Sequence, residues 1–199
     1  KFNLPSFENA LRNAHTPTST AWATAARKRF AFEEIFFIQL DRARQKKMRE
    51  EEPSFVIETP IEKIKELTSR LSFPLTAAQK KCAMHILQDM ARPYPMARLL
   101  EGDVGSGKTL VAVIATLAVK EAGFQVAYMA PTEILAHQHF ASFTTYLRPF
   151  RITMGLLTSS GSRKFPSKIN SSGSTPISTS QLLTWTQGGM VDILIGTHA

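Results

Sequence analysis

Gly102-Asp103-Val104-Gly105-Ser106-Gly107-Lys108-Thr109 fits the pattern G-x-x-x-x-G-K-[ST] at every fixed position. Glycines let a backbone curl tightly enough to turn successive N–H groups toward phosphate oxygens. A lysine adds a full positive charge, and a threonine hydroxyl suits a magnesium ion. The stretch therefore implies a phosphate-binding loop, with a nucleoside triphosphate as ligand.

The flanks support that reading. Arg98-Leu99-Leu100 is a short apolar run directly before the loop and predicts a buried lead-in strand. Thr109 to Lys120 is a long apolar helix candidate ending near Gly123, whose N-terminus would face the phosphates. From there strand and helix alternate. Gln125–Met129, Ile152–Leu157 and Asp192–Ile195 read as strands, and Thr132 to about Tyr146 as a helix. That rhythm predicts an α/β fold with a parallel sheet and right-handed crossovers. Ser159 to Ser180 is dominated by Ser, Thr, Gly and Pro and reads as a mobile surface loop.

Ahead of the loop the sequence is helical in character, with Pro5, Pro17, Pro53 and Pro60 as punctuation. Phe32, Phe36, Leu40 and Ala43 recur at helical spacing, so Arg29 to Arg49 predicts a long amphipathic helix whose aromatic stripe packs against core or a neighbouring domain. Ile61–Leu71 and Thr76–Met90 predict two more helices, the latter with Thr76 as its N-cap. Two regions are expected: a helical connector over residues 1–70, and a nucleotide-binding region over 71–199.

The 199 residues are 43% hydrophobic and 20% charged, an ordinary balance for a globular chain. No apolar run is long enough to span a bilayer and no signal-peptide layout opens the sequence, so a cytoplasmic protein without a membrane partner is expected. Cys82 is the only cysteine, which excludes an internal disulfide and reads as a buried thiol. Lys and Arg number 24 against 16 Asp and Glu, a net charge of +8 that favours a polyanionic partner. Part of the excess lies at Arg27-Lys28-Arg29 and at Arg42, Arg44, Lys46, Lys47 and Arg49. Either a solvated helix face or a nucleic-acid contact accounts for it. His137 and His139 stand two apart on a helix, point to different faces and do not read as a metal pair.

Three further segments carry chemistry. Phe73-Pro74-Leu75-Thr76-Ala77-Ala78-Gln79 resembles the adenine-reading segment of superfamily 2 helicases, in which a glutamine amide can donate to and accept from the base edge together. Ala130-Pro131-Thr132-Glu133-Ile134-Leu135-Ala136-His137-Gln138 resembles their motif Ia, and Gly196-Thr197-His198-Ala199 the next backbone-contacting segment. Together with Met96–Ala112, the Leu4–Arg12 segment and Arg29–Ile35, these residues resemble the RecG family of bacterial ATP-dependent helicases, which remodel branched DNA. The resemblance covers nearly the whole chain.

It implies a RecA-like first motor lobe that binds ATP with Mg²⁺. Phe73, Gln79 and Gly102 through Thr109 are its implied nucleotide contacts, Lys108 and Thr109 its catalytic loop residues, and Thr109 the magnesium ligand. Pro131, Thr132, Glu133, Thr197 and His198 are implied contacts to branched or duplex DNA. Further partners would be a wedge domain and a second lobe of the same polypeptide, in a monomeric protein. Two features depart from the family. The Ser-rich stretch after Leu157 replaces a shorter, charged one, and the sequence contains no DExx box: Asp192 is the only carboxylate after Glu133 and precedes its strand. This stretch alone is therefore expected to bind nucleotide and scarcely hydrolyse it. A non-catalytic DNA-binding or docking module, and the motor lobe of a transcription-repair coupling factor or an RNA helicase, remain open alternatives.

Overall fold

The computed structural model describes residues 3–167 and 173–198, and the chain divides into two units between Pro53 and Ser54. The first unit is a helical hairpin of α1 (Phe7–His15) and α2 (Thr20–Glu51). Ser6 and Ser19 cap the two helices, accepting from the Asn9 and Trp22 amides. Asn13 shapes the turn between them by accepting from both the amide and the hydroxyl of Thr18. The helices meet at buried Ala10 and Ala26, beside an edge-to-face contact of Phe7 and Phe30 with centroids 6.0 Å apart. Arg29 donates to the Pro5 carbonyl at 2.8 Å while pairing with Glu33 one turn on.

The long helix thus begins nine residues before the predicted Arg29, because Ser19 supplies a cap the aromatic periodicity does not reveal. Phe32 and Phe36 stack at 6.0 Å, yet Ile35, Phe36, Phe37 and Ile38 are exposed.

The second unit holds α3 (Ile61–Ser69), α4 (Ala77–Met90), α5 (Lys108–Glu121), β1 (Val126–Met129), α6 (Glu133–Leu147), β2 (Met154–Thr158), β3 (Gly161–Phe165), β4 (Thr175–Ile177), α7 (Thr179–Gln187) and β5 (Ile193–Gly196). Its boundary lies at 53 rather than 70 for clear reasons. Ser54 and Ile57 donate backbone bonds to Pro93 and Met90, Phe55 packs on Phe124, and Leu67 of α3 is buried in the main core.

The five strands form one sheet in the order β1-β5-β2-β3-β4. β1, β5 and β2 run parallel, with Val126 opposite Ile193 and Ile193 opposite Met154. Inserting β5 between β1 and β2 requires the crossovers that α6 and α7 supply. Buried Phe140, Phe143 and Leu147 of α6, Val113, Ile114 and Leu117 of α5, and Met154, Leu156, Ile193 and Ile195 of the sheet form one core. Asp192 accepts from the Thr153 amide at 2.6 Å, a role in joining β5 to β2.

Several expectations are corrected. Residues 161–165 and 175–177 are antiparallel strands, not loop, and α7 starts at Thr179; residues 168–172 of that stretch lie outside the described residues. The polar composition conceals these strands because a ladder is made by the backbone, and only Ser162 and Phe165 of β3 are buried. The sheet is accordingly mixed rather than wholly parallel. Arg98-Leu99-Leu100 joins no strand, and Leu99 is 81% exposed. Instead Arg98 bonds Asp89 at the end of α4 through its guanidinium, Nε at 2.8 Å. Cys82 is half-buried against the core. Among the described residues, no helix is long and apolar enough to cross a membrane.

Phe143 is fully buried and lies 4.9 Å from the Tyr128 ring. Phe143→Ala is expected to cost about 3–5 kcal/mol of stability, seen as a lower urea midpoint with an unchanged slope.

Candidate functional site

Gly107 adopts φ +85 as the N-cap of α5, a left-handed conformation that favours glycine, and Gly105 does the same at φ +80. Between them the backbone reverses, with Ser106 donating to the Asp103 carbonyl at 3.1 Å. The amides of Gly105, Gly107, Lys108 and Thr109 meet no acceptor among the described residues. They form a row of unfilled donors at the start of a 14-residue helix. Lys108 turns its ammonium back onto the loop, donating to the carbonyls of Gly102 at 2.6 Å and Asp103 at 2.8 Å, which leaves one of its three protons over. Val104 stands fully exposed at the tip, and Thr109 is half-buried one residue into the helix.

Gln79 connects this loop to α4. Thr76 and Gln79 form a reciprocal capping box: Gln79 donates from its amide to the Thr76 hydroxyl at 3.2 Å, and its Oε1 accepts from the Thr76 amide at 2.9 Å. Its Nε2 then donates to the Ser106 carbonyl at 2.9 Å. A primary amide offers two hydrogens and two lone pairs, so one of each is still available. Phe73, three residues before the cap, is 47% exposed. The structure thus ties Gln79 to the Gly102–Thr109 loop, a contact across 27 positions that the sequence did not announce.

A second cluster sits at the carboxyl ends of the parallel strands. Ala130 donates to the Gly196 carbonyl at 2.8 Å and Thr197 to the Leu157 carbonyl at 3.4 Å, so the segments following β1, β5 and β2 lie side by side. Pro131 and Thr132 are exposed, and Thr132 caps α6 by accepting from the Leu135 amide. Thr197 is half-buried and His198 exposed; Ala199 lies outside the described residues. Glu133 accepts from the hydroxyl of Ser159 and, at 3.1 Å, from the amide of Ser160. Bonding from Ser159, then from Ser160, holds its carboxyl below the usual glutamate value.

The two serines carry no recognisable motif, and their pairing with Glu133 is a contact across 26 residues that periodicity cannot reveal. His139 turns toward Tyr128, with ring centroids 4.8 Å apart, while His137 is exposed. Burial lowers the His139 pKa and raises that of Tyr128. Among the described residues, no three His, Cys, Asp or Glu side chains gather as a metal site. Thr109 is the metal-ligand candidate beside the loop.

The pattern of the DEAD/DEAH box helicase family matches residues 76–199. Over its whole length the chain is 39% identical to the ATP-dependent DNA helicase RecG of Bacillus subtilis, covering 27% of that protein. It is 34% identical to the RecG of Aquifex aeolicus, covering 24%. A solved structure of RecG bound to a three-way DNA junction matches 98% of this chain and 25% of its own, at 35% identity and a TM-score of 0.81. The chain thus spans about a quarter of the length of the relatives it matches.

A Cβ placed at Gly107 would lie 2.3 Å from the Gln79 Nε2, at a φ that disfavours any side chain. Gly107→Ala is expected to destabilise the chain by about 1–3 kcal/mol. It should also release the Gln79 side-chain amide, read as a lower melting temperature and a shifted Gln79 amide resonance.

Proposed function

This chain belongs to the DEAD/DEAH box helicase family, and on that premise we propose that it is the nucleotide-binding portion of the first, RecA-like motor lobe of a RecG-type ATP-dependent DNA helicase. The observation that carries the proposal is the loop itself: the amides of Gly105, Gly107, Lys108 and Thr109, which meet no acceptor among the described residues, at the N-terminus of α5 beside a lysine with a proton to spare. This donor set fits a phosphate chain.

Lys108 swings from the Gly102 and Asp103 carbonyls to the phosphates, and the loop amides hold the oxygens in place. Thr109 offers its hydroxyl to magnesium, which when bound neutralises phosphate charge. Gln79 reads the adenine edge with its remaining hydrogen and lone pair, without giving up Ser106 or Thr76, while Phe73 covers the base. Base recognition and loop geometry are thereby linked through one side chain.

Pro131, Thr132, Thr197 and His198 form the face toward DNA, supported by their convergence at the strand ends. The track is branched or duplex DNA, a reading supported by the relatives' description as DNA helicases and by the match to a RecG–junction complex. The remaining partners are the other parts of a longer polypeptide, acting as a monomer in the cytoplasm. Without a DExx acid among its 199 residues, this chain binds ATP or ADP and scarcely hydrolyses it.

Titration calorimetry with MgATP tests the proposal. The wild-type chain is expected to bind, and Lys108→Ala to bind at least about tenfold more weakly, equivalent to ~1.4 kcal/mol. Equal affinity in Lys108→Ala, or brisk hydrolysis by the wild-type chain that the substitution abolishes, would contradict it.

A further inference from the structure

We propose that the hollow where α3 and α4 rest on α5 binds a small amphipathic organic anion: an apolar body carrying one carboxylate or like group. The site stands apart from the Gly102–Thr109 loop. It rests on the shape and chemistry of these three helices and not on the function proposed above.

The hollow follows from how the helices pack. Leu67 of α3 and Ala83, Ile86 and Leu87 of α4 are buried in the core that α5 runs through, so both helices are fastened to α5. They scarcely meet each other. Two helices lying on a third leave a trough between them unless side chains fill it. Along the facing stripes α3 presents Ile64 and Thr68, and α4 presents Lys80, Met84 and Leu87, positions about one turn apart on each helix. These do not fill it. The trough measures about 550 Å³, with Ile114 in the middle of α5 as its floor, and Pro74 and Leu75 of the connecting segment complete its wall.

A mostly apolar wall with a few polar groups is the make-up of a small-molecule site. Apolar surface of this kind faces water until an apolar body covers it, which is the driving force for binding. Met84 is 53% exposed, and its flexible thioether can settle over occupants of different shape.

The polar groups fix the sign and direction of the ligand. Lys65 and Lys80 line the hollow, and among the described residues that line it there is no Asp or Glu. Lys65 is already paired with Glu62 at 2.9 Å. The Lys80 ammonium forms no hydrogen bond or ion pair among the described residues, so all three of its protons are free to be donated. Thr68 and Ser69 have spent their hydroxyl protons on the carbonyls of Lys65 at 3.1 Å and Glu66 at 2.9 Å. They present only lone pairs and repel an anion. The negative group is thereby directed to Lys80, with the apolar body against Ile114 and Met84.

The walls also separate this hollow from the loop. No residue of Gly102–Thr109 lines it, nor do Phe73 and Gln79. Lys80 follows Gln79 directly, but adjacent helical positions stand about 100° apart, so the two side chains face different ways.

The test titrates octanoate and octan-1-ol into the chain and reads the methyl resonances of Met84 and Ile114. Octanoate is expected to shift both methyls saturably and to bind about fivefold more tightly than octan-1-ol, on the scale of one exposed charge pair. Lys80→Gln should lower octanoate affinity to the octan-1-ol level and leave octan-1-ol unchanged. Met84→Trp puts a bulky ring into the hollow and should weaken both ligands at least about tenfold, read at Ile114. Lys80 is exposed, so Lys80→Gln keeps the test decisive if Met84→Trp does not fold. A saturating excess of MgATP should leave octanoate affinity within about twofold, as expected of uncoupled sites.

No methyl shift up to the solubility limit of octanoate, equal binding of octanoate and octan-1-ol, or unchanged octanoate affinity in either variant would overturn the proposal. Displacement of octanoate by MgATP would also overturn it, by making the hollow part of a nucleotide site. Octanoate binding to this chain but not to the RecG-type polypeptide proposed to carry it would show that a segment of that polypeptide fills the hollow, and would overturn a small-molecule site as well.

Discussion

The position of the Gly102–Thr109 loop, proposed above to hold phosphate, depends on the burial of α5. Leu110, Val111, Val113, Ile114, Leu117 and Ala118 are all buried, and each large apolar side chain contributes about 1.5–3 kcal/mol. That anchor holds the first turn of the helix still, and Gly107 turns the backbone just before it. The lead-in segment gives no comparable support, since it pairs with no strand. Three polar ties replace it: Arg98 to Asp89, Gln79 to Ser106, and Lys108 to the carbonyls of Gly102 and Asp103. The Lys108 tie is the one a phosphate chain would displace, so the loop can exchange a bond to itself for a bond to ligand while α5 stays fixed.

The second half of the account follows from sheet order. Placing β5 between β1 and β2 sets three loop beginnings side by side, and only short backbone bonds are then needed to align them. Ligand sites at the carboxyl ends of parallel strands arise from this geometry in open α/β sheets generally. Here the antiparallel β3 and β4 extend the sheet beyond the parallel part and give the third loop its hairpin form.

Much of this was legible in the sequence wherever the signal was local. The tight glycine turn before α5, the Thr76 and Thr132 caps, and the helices that became α4, α5 and α6 were readable because turn chemistry, capping and 3.6-residue periodicity are properties of a few adjacent residues. β2 and β5 were readable as apolar runs. β3 and β4 were not, since Ser, Arg, Lys and Thr can line a ladder whose bonds come from the backbone. Leu99-Leu100 misled in the opposite direction: two apolar residues do not make a strand without a partner edge. The roles of Asp89 toward Arg98, Gln79 toward Ser106 and Glu133 toward Ser160 were hidden for a common reason. Each joins residues from 9 to 27 positions apart, and no periodicity links them.

The most direct test of the proposed function is ATP hydrolysis by the RecG-type polypeptide proposed to carry this chain, measured with forked DNA, linear duplex or single-stranded RNA added. The account predicts hydrolysis stimulated most by the fork and lost in Lys108→Ala. Equal stimulation by linear duplex, or a preference for RNA, would contradict a branch-specific DNA motor and leave only a family-level helicase assignment.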